Sequence, residues 1–341
     1  MWIPALNFKD KERDNLNILF ILFAIFLTFF IGLRHDIGGD WENYIAQFDK
    51  TFEHTFSYVE MIFHDDPGYW LLGYFMYYIG WYIYGTNFIV AIIFVVGISK
   101  LLKQQPNPWL GLAVAFPYLI IVVSMGYTRQ AAAIGFIMWG ISYLREKSFT
   151  KFLVMVFFAT IFHKTAILLV GIGMFQEGRG QLFRLLALIL IGGGMWSAFL
   201  AHDQEKLIKN YVESQMYSGG AVVRVVMNVV PAFILFFTKD RWQELFDDYS
   251  FWKVIAFGSI VTLFMLNFAS TAVDRMALYF IPIQMVVFSR LPLLLEGKVN
   301  REQLKFTILL YYLFVMSVWL NMGTFSRLWI PYHNIIFYNT F

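Results

Sequence analysis

The chain of 341 residues contains no cysteine. That absence excludes disulfides, thiolate nucleophiles and cysteine-based zinc or iron-sulfur sites, and it suits an oxidising compartment without requiring one. Charge is also scarce: Asp, Glu, Lys and Arg make up 14% of the residues, against about 25% in soluble domains. A net charge of +3 and the lack of any Lys/Arg-rich tract argue against a nucleic-acid surface. No P-loop, HExxH or GxSxG sequence is present, so no ATP, metal or cofactor is required. The first apolar run lacks a small-x-small cleavage site downstream and reads as a retained signal-anchor helix.

What the chain has in excess is apolar side chains, 59% of the total. At this length they cannot all enter one water-facing core, and the fold class expected is an all-α polytopic integral membrane protein. Apolar runs bounded by charges, Gly or Pro fall at about 16–33, 88–103, 109–124, 128–145, 150–175, 183–201, 223–238, 252–270, 276–291 and 304–322. The longest polar stretches, 34–67 and 202–221, are too short for a soluble domain, which leaves residues 1–341 as one transmembrane domain with two outer loops. Residues 68–86 are dense in Tyr and Trp and read as interfacial or re-entrant. The run 150–175 is interrupted by His163 and Lys164, as one long helix or two short ones. The positive-inside rule favours the split and a non-spanning 68–86: 17 of the 26 basic residues then lie inside. The result is about 11 crossings, with the N-terminus inside and the C-terminus outside.

In this arrangement all six histidines and nine basic residues fall on the outer side. Arg34, Arg129, Arg275 and Arg327 sit at or near outer helix ends, where a guanidinium costs less than the roughly 2.5–3.5 kcal/mol of the bilayer centre. Four cations on the side expected to be poor in them suggest an anionic ligand. Paired guanidinium oxygen contacts fit a lipid-linked diphosphate, whose charge as a leaving group they would stabilise. A single such arginine could equally snorkel or pair locally, as Arg275 could with Asp274. After the first helix, Gly38 and Gly39 permit unusual backbone conformations. From Trp41 onward, Trp41, Tyr44, Ile45, Phe48 and Phe52 share one face of an amphipathic surface helix. Asp40 stands where a carboxylate caps such a helix, or where an acid or base emerges with the first crossing. Further surface helices are expected at 203–217 and around Trp242, Leu245, Phe246 and Tyr249, as interfacial anchors. His163 reads either as a structural histidine or as a general base kept neutral by Lys164. Asp65 and Asp66 could together bind a divalent ion but read as solvated loop carboxylates, and Asn228, Asn267 and Pro231 as packing and kink residues.

Four motifs occur in order: RHDIGGDWENY from Arg34, GYTRQAAAIG from Gly126, FHKTA around His163 and DRMALY from Asp274. With the C-terminal IPYHN they resemble the EpsG-type branch of the Wzy polysaccharide polymerases over roughly residues 30–335. The resemblance implies a GT-C-like bacterial inner-membrane glycosyltransferase with its active face outside the cytoplasm. Its donor and acceptor would be undecaprenyl-diphosphate-linked oligosaccharides, without metal or cofactor. Its protein partner, if any, would be a chain-length regulator. Carried over residue by residue, Arg34, Asp40, Tyr44, Arg129, Gln130, His163, Arg275 and Tyr279 occupy the family's polar positions, and Arg327 joins them on the same side. Two departures stand out: Gly-Gly-Asp where Gly-Thr-Asp is common, and Lys-Thr after His163 in place of a small residue and Ser. The arginines would hold the donor diphosphate while Asp40 or His163 takes the acceptor proton. Other readings of the same residues are a lipid-linked glycan ligase or single-sugar transferase, an acyltransferase, and a non-enzymatic flippase or transporter of lipid-linked glycans.

Overall fold

The computed structural model describes residues 13–53, 66–175 and 220–338 except 269, plus a few isolated positions. Most of the expected apolar run 183–201, the expected surface helix at 203–217 and Asp65 lie outside the described residues, which form helices joined by short turns and no named strand. The order is α1 (Arg13–Gly32), α2 (Trp41–Glu53), α3 (Pro67–Tyr78), α4 (Tyr82–Lys103), α5 (Pro108–Gly126), α6 (Thr128–Arg145) and α7 (Phe149–Phe162). A 3-10 segment, Lys164–Phe175, comes next, then α8 (Ala221–Phe237), α9 (Lys239–Leu245), α10 (Tyr249–Met265), α11 (Ser270–Leu278), α12 (Pro282–Leu294) and α13 (Arg301–Met322).

Three helices, α4, α5 and α13, are long and apolar enough to cross a bilayer, or five spans result if the bent pairs α8–α9 (78°) and α11–α12 (49°) each count as one. Apolar side chains point outward along α13 and along α1: Ile18, Leu22, Phe26, Phe306, Phe314 and Met322 are all exposed, whereas α5 is mostly buried. A helix satisfies its backbone groups internally, so such faces are stable only against lipid. The chain is thus a polytopic helical membrane protein. The expected run 88–103 extends to Tyr82, which shortens the ambiguous aromatic stretch to the 12-residue α3, about 18 Å and too short to span.

Glycines let the central helices approach. The position of a Cβ on Gly97 of α4 lies 1.9 Å from the Gly135 carbonyl oxygen of α6, and one on Gly135 lies 2.7 Å from Phe94 Cα. Between lipid-embedded helices little hydrophobic force remains, so backbone contact at small residues carries the packing. One chain of polar side chains inside the bundle links four helices. Tyr312 Oη donates to Gln284 Oε1 (2.8 Å), Gln284 Nε2 to Asn228 Oδ1 (2.7 Å) and Asn228 Nδ2 to the Ala277 carbonyl (2.8 Å), joining α13, α12, α8 and α11. Pro231 lies within α8, while Asn267 is exposed in the turn after α10.

One end of the bundle is a basic clasp. Arg290, 1% exposed, donates both terminal nitrogens to Asp248 (2.6 and 2.7 Å) and Nε to Gln105 (2.9 Å). The same carboxylate accepts the indole N–H groups of Trp242 and Trp252, and the guanidinium lies over Trp242 and Phe246. Trp242 is fully buried. It therefore serves as a wall of an ion-pair site and not as the interfacial anchor its spacing suggests.

The other end is closed by the C-terminal segment. His35 N–H donates to His333 O and Ile335 N–H to Leu33 O, both around the Arg34–Asn334 bridge. Tyr332 hydroxyl reaches Phe30 O, and the Trp329 indole donates to Ile121 O within the π-helical turns Phe116–Val123 of α5. Pro117 lies in the first turn of that stretch, where a missing N–H and a widened helix leave carbonyls for outside donors.

Candidate functional site

At this second end, a cavity of about 140 Å³ is lined by Asp40, Asn43, Tyr44, Gln47, Tyr127, Arg129, Gln130, His163 and Arg275. A dry cavity of about this size holds a six-membered ring, but here most of the lining side chains are polar. Six of the nine residues singled out from the sequence meet there: Asp40, Tyr44, Arg129, Gln130, His163 and Arg275.

Asp40 is delivered by a turn with one obligatory glycine. Gly38 has φ +103°, and a Cβ there would meet the Met125 carbonyl at 2.8 Å; Gly39 has no such requirement. Gly38 N–H donates to Leu328 O, docking the C-terminal turn on this loop. The Asp40 main-chain carbonyl then accepts from Tyr44 as α2 begins. Among the described residues no helix N–H donates to the Asp40 carboxylate, which is met by the Asn43 side chain and faces Arg275 and Arg129. Burial pushes this carboxyl above its ordinary range against the pull of the two arginines and Asn43. On α2, Trp41, Tyr44 and Phe48 turn inward against Tyr84, Tyr69 and Trp70, so its apolar face covers protein while Ile45 stays exposed.

Arg129 stands in the first turn of α6, just after the helix is interrupted at Tyr127 (φ −122°, ψ 66°). A helix N-terminus disfavours a cation, and the compensation is an anion: Nη1 donates to Asp66 Oδ2 at 2.8 Å, and the guanidinium lies 5.7 Å over the Tyr44 ring. His163 ends α7 in extended conformation (φ −157°, ψ 107°), the interruption expected within 150–175. Its Nδ1 lies 3.5 Å from Asp66 Oδ2. Gln130 Nε2 donates to the Arg275 carbonyl (2.7 Å), tying α6 to α11.

Three sequence candidates are placed elsewhere. Arg34, 2% exposed, lies beneath the site, where it donates to Ile31 O (2.8 Å), Thr128 Oγ1 (2.8 Å) and Asn87 Oδ1 (3.2 Å) and pins the end of α1 to the starts of α4 and α6. Tyr279 is buried with its hydroxyl 3.2 Å from Thr165 Oγ1, and it lines a small apolar pocket. Arg327 is exposed on the Ser326–Leu328 turn. Asp274, adjacent to Arg275 in sequence, instead forms a two-pronged pair with Arg224 (2.6 and 2.5 Å).

The sequence reading missed Asp66. It is no solvated loop carboxylate: it is 2% exposed and contacts Arg129, His163 and the Lys164 N–H. Burial alone would raise its carboxyl, but His163, Arg129 and the Lys164 N–H outweigh burial and hold it below the ordinary value. Asn43 and Gln47 were also missed, although with Asp40 they form a polar stripe at helical spacing beside the apolar face of α2.

Two residues lining the cavity, Gln130 and His163, carry a buried polar atom without a protein partner (Oε1 and Nε2), as do Tyr69 (Oη), which packs on Tyr44, and Trp139 (Nε1), farther along α6. Such atoms are costly unless paired. No curated protein and no solved structure matches the chain. The family model described as the EpsG family matches residues 17–334, a span that includes every residue lining the cavity. The chain therefore belongs to the EpsG family, a membership that supports a membrane polysaccharide polymerase.

Proposed function

We propose that the protein is a glycosyltransferase that joins undecaprenyl-diphosphate-linked oligosaccharide units on the outer side of the bacterial inner membrane. The observation that carries this reading is the meeting of Arg129, Arg275, Asp40 and His163 around one polar cavity bordered by unpartnered buried atoms. Eleven crossings on a GT-C-like plan, with the N-terminus inside, would put this end outside the cytoplasm.

Each residue has a physical part to play. Arg129 and Arg275 would face the donor diphosphate, where fixed positive charge stabilises the leaving group more than the bound substrate. Asp40 or His163 would take the proton of the acceptor hydroxyl, which attacks the anomeric carbon as the bond to the diphosphate breaks. Asn43, Gln47 and Tyr44 would hydrogen-bond sugar hydroxyls, and the aromatic ring of Tyr44 gives a sugar face something to stack on. Arg34 supports the floor of the site.

Distribution of polarity favours an enzyme over a flippase. The network of Tyr312, Gln284 and Asn228 within the bundle is saturated, whereas a transport path needs polar groups available to its cargo through both leaflets. The test is deletion of the gene in the native host, complementation with wild type or Arg129→Ala at equal protein level, and electrophoresis of surface glycans. Collapse of the ladder to a single repeat unit in the deletion and in Arg129→Ala is expected. Loss of all glycan would favour a flippase or an earlier transferase, and an unchanged ladder would overturn the polymerase.

A further inference from the structure

We propose that Asp66 is the positioning residue of this site: it holds Nδ1 of His163 so that Nε2 faces the cavity as the base, and it anchors Arg129 beside it. The chemistry rests on the transferase reading above; the geometry does not.

Asp66 immediately precedes α3, with Pro67 at the first helical position. An aspartate there ordinarily caps the helix with its side chain. Here the main-chain carbonyl accepts from Tyr69 and Trp70, but the carboxylate makes no cap hydrogen bond. It turns away to residues 63 and 97 positions distant. Oδ2 accepts from Arg129 Nη1 at 2.8 Å and faces His163 Nδ1 at 3.5 Å, while Oδ1 accepts from Lys164 N–H at 3.2 Å. A carboxylate this buried persists only when paired, and these partners come from α6 and from the break that ends α7.

The consequence for His163 is a choice of tautomer. A carboxylate oxygen can only accept, so Nδ1 carries the proton and Nε2 presents a lone pair. Nε2 is buried without a partner, and His163 lines the cavity. At 3.5 Å the Nδ1 contact is at the outer limit of a hydrogen bond, as catalytic pairs often are before substrate binds. In the reaction, the acceptor hydroxyl proton passes to Nε2 and the hydroxyl oxygen bonds the donor's anomeric carbon. The carbon–oxygen bond to the diphosphate breaks, and its electron pair leaves with the phosphate. Asp66 stabilises the imidazolium without taking the proton, and Arg129, held in place by the same oxygen, faces the departing charge.

The test combines a spectroscopic and a kinetic readout. With ¹⁵N-labelled histidine, and His163 assigned by comparison with His163→Gln, wild type should show the Nδ1-protonated tautomer above neutral pH. Asp66→Ala should shift it toward the Nε2-protonated form favoured in water. In a turnover assay on lipid-linked units extracted from the deletion host, the isosteric Asp66→Asn should lose on the order of 10²-fold or more in kcat, with the acceptor KM held within about twofold. The same tautomer in wild type and Asp66→Ala, or full turnover in Asp66→Asn, would overturn the proposal. So would a turnover-competent His163→Gln beside an inactive Asp66→Asn, which would leave Asp66 acting through Arg129 alone. If wild type fails to elongate the extract, the transferase reading falls, while the tautomer still decides whether Asp66 governs His163.

Discussion

Alanine at Gly97 is a perturbation far from the chemistry whose effect should reach it. The Cβ would lie 1.9 Å from the Gly135 oxygen and 2.6 Å from its carbonyl carbon, whereas ordinary contact begins near 3.4 Å. The opposing atoms are backbone, so no rotamer can yield and α4 and α6 must part by about 1.5 Å at this level. Overpacking of this kind costs about 1–3 kcal/mol. Gly135 lies six residues from Arg129, about 9 Å along the axis of α6, so the displacement is carried to the cavity. There Arg129 must still meet Asp66, which sits on a different element. A misplacement of about 1 Å costs catalysis on the order of 10²-fold, so the surface glycan ladder should shorten even where protein accumulates. Melting of the detergent-purified protein, followed by size exclusion, gives the stability arm. Gly135→Ala, with its Cβ 2.7 Å from Phe94 Cα, should show a milder effect, and Gly171→Ala, with nothing within 4 Å, should show none. A Gly97→Ala protein that melts with wild type and makes the wild-type ladder would refute the reasoning.

Two further predictions concern charge. Asp248→Asn leaves the Arg290 guanidinium, 1% exposed, without its counter-ion and should destabilise the protein by about 3–5 kcal/mol. Tryptophan-fluorescence melting reads this directly through Trp242 and Trp252, while ladder length per folded molecule stays at the wild-type value. Asp40 holds its proton more tightly in the fold than in the unfolded chain, so its contribution to stability declines as pH rises from 3.8 through the raised folded value. Asp40→Asn should flatten that decline in melting curves taken from about pH 4 to 7, and a steeper one would contradict the assigned direction. Asp66 has the opposite sign: its contribution is present above 3.8 and is lost as pH falls through its lowered folded value.

Much of the architecture was legible because lipid imposes a simple rule on sequence. Most runs of apolar residues between charges became helices among the described residues, and the His163–Lys164 interruption marked a real break. The polar end was legible for the same reason, since cations at helix ends stand out against an apolar chain. Individual roles were less legible. Asp274 and Arg275 are neighbours in sequence, yet successive helical residues point about 100° apart, which turns Asp274 to Arg224 and leaves Arg275 on the cavity. Arg34 looked like a ligand contact because its hydroxyl and amide partners, Thr128 and Asn87, come from distant segments. Asp66 was hidden for a related reason: its local setting, beside another acid and before Pro67, describes a loop or a cap, and its partners lie 63 and 97 residues away.

The fastening of the C-terminal segment has a biosynthetic consequence. Gly38 docks on Leu328, and Tyr332 and Ile335 hold the end of α1, so the loop that presents Asp40 acquires its final support from the last described residues to leave the ribosome. A nascent chain already threaded into the membrane therefore carries the cavity's side chains before it carries the brace that fixes them.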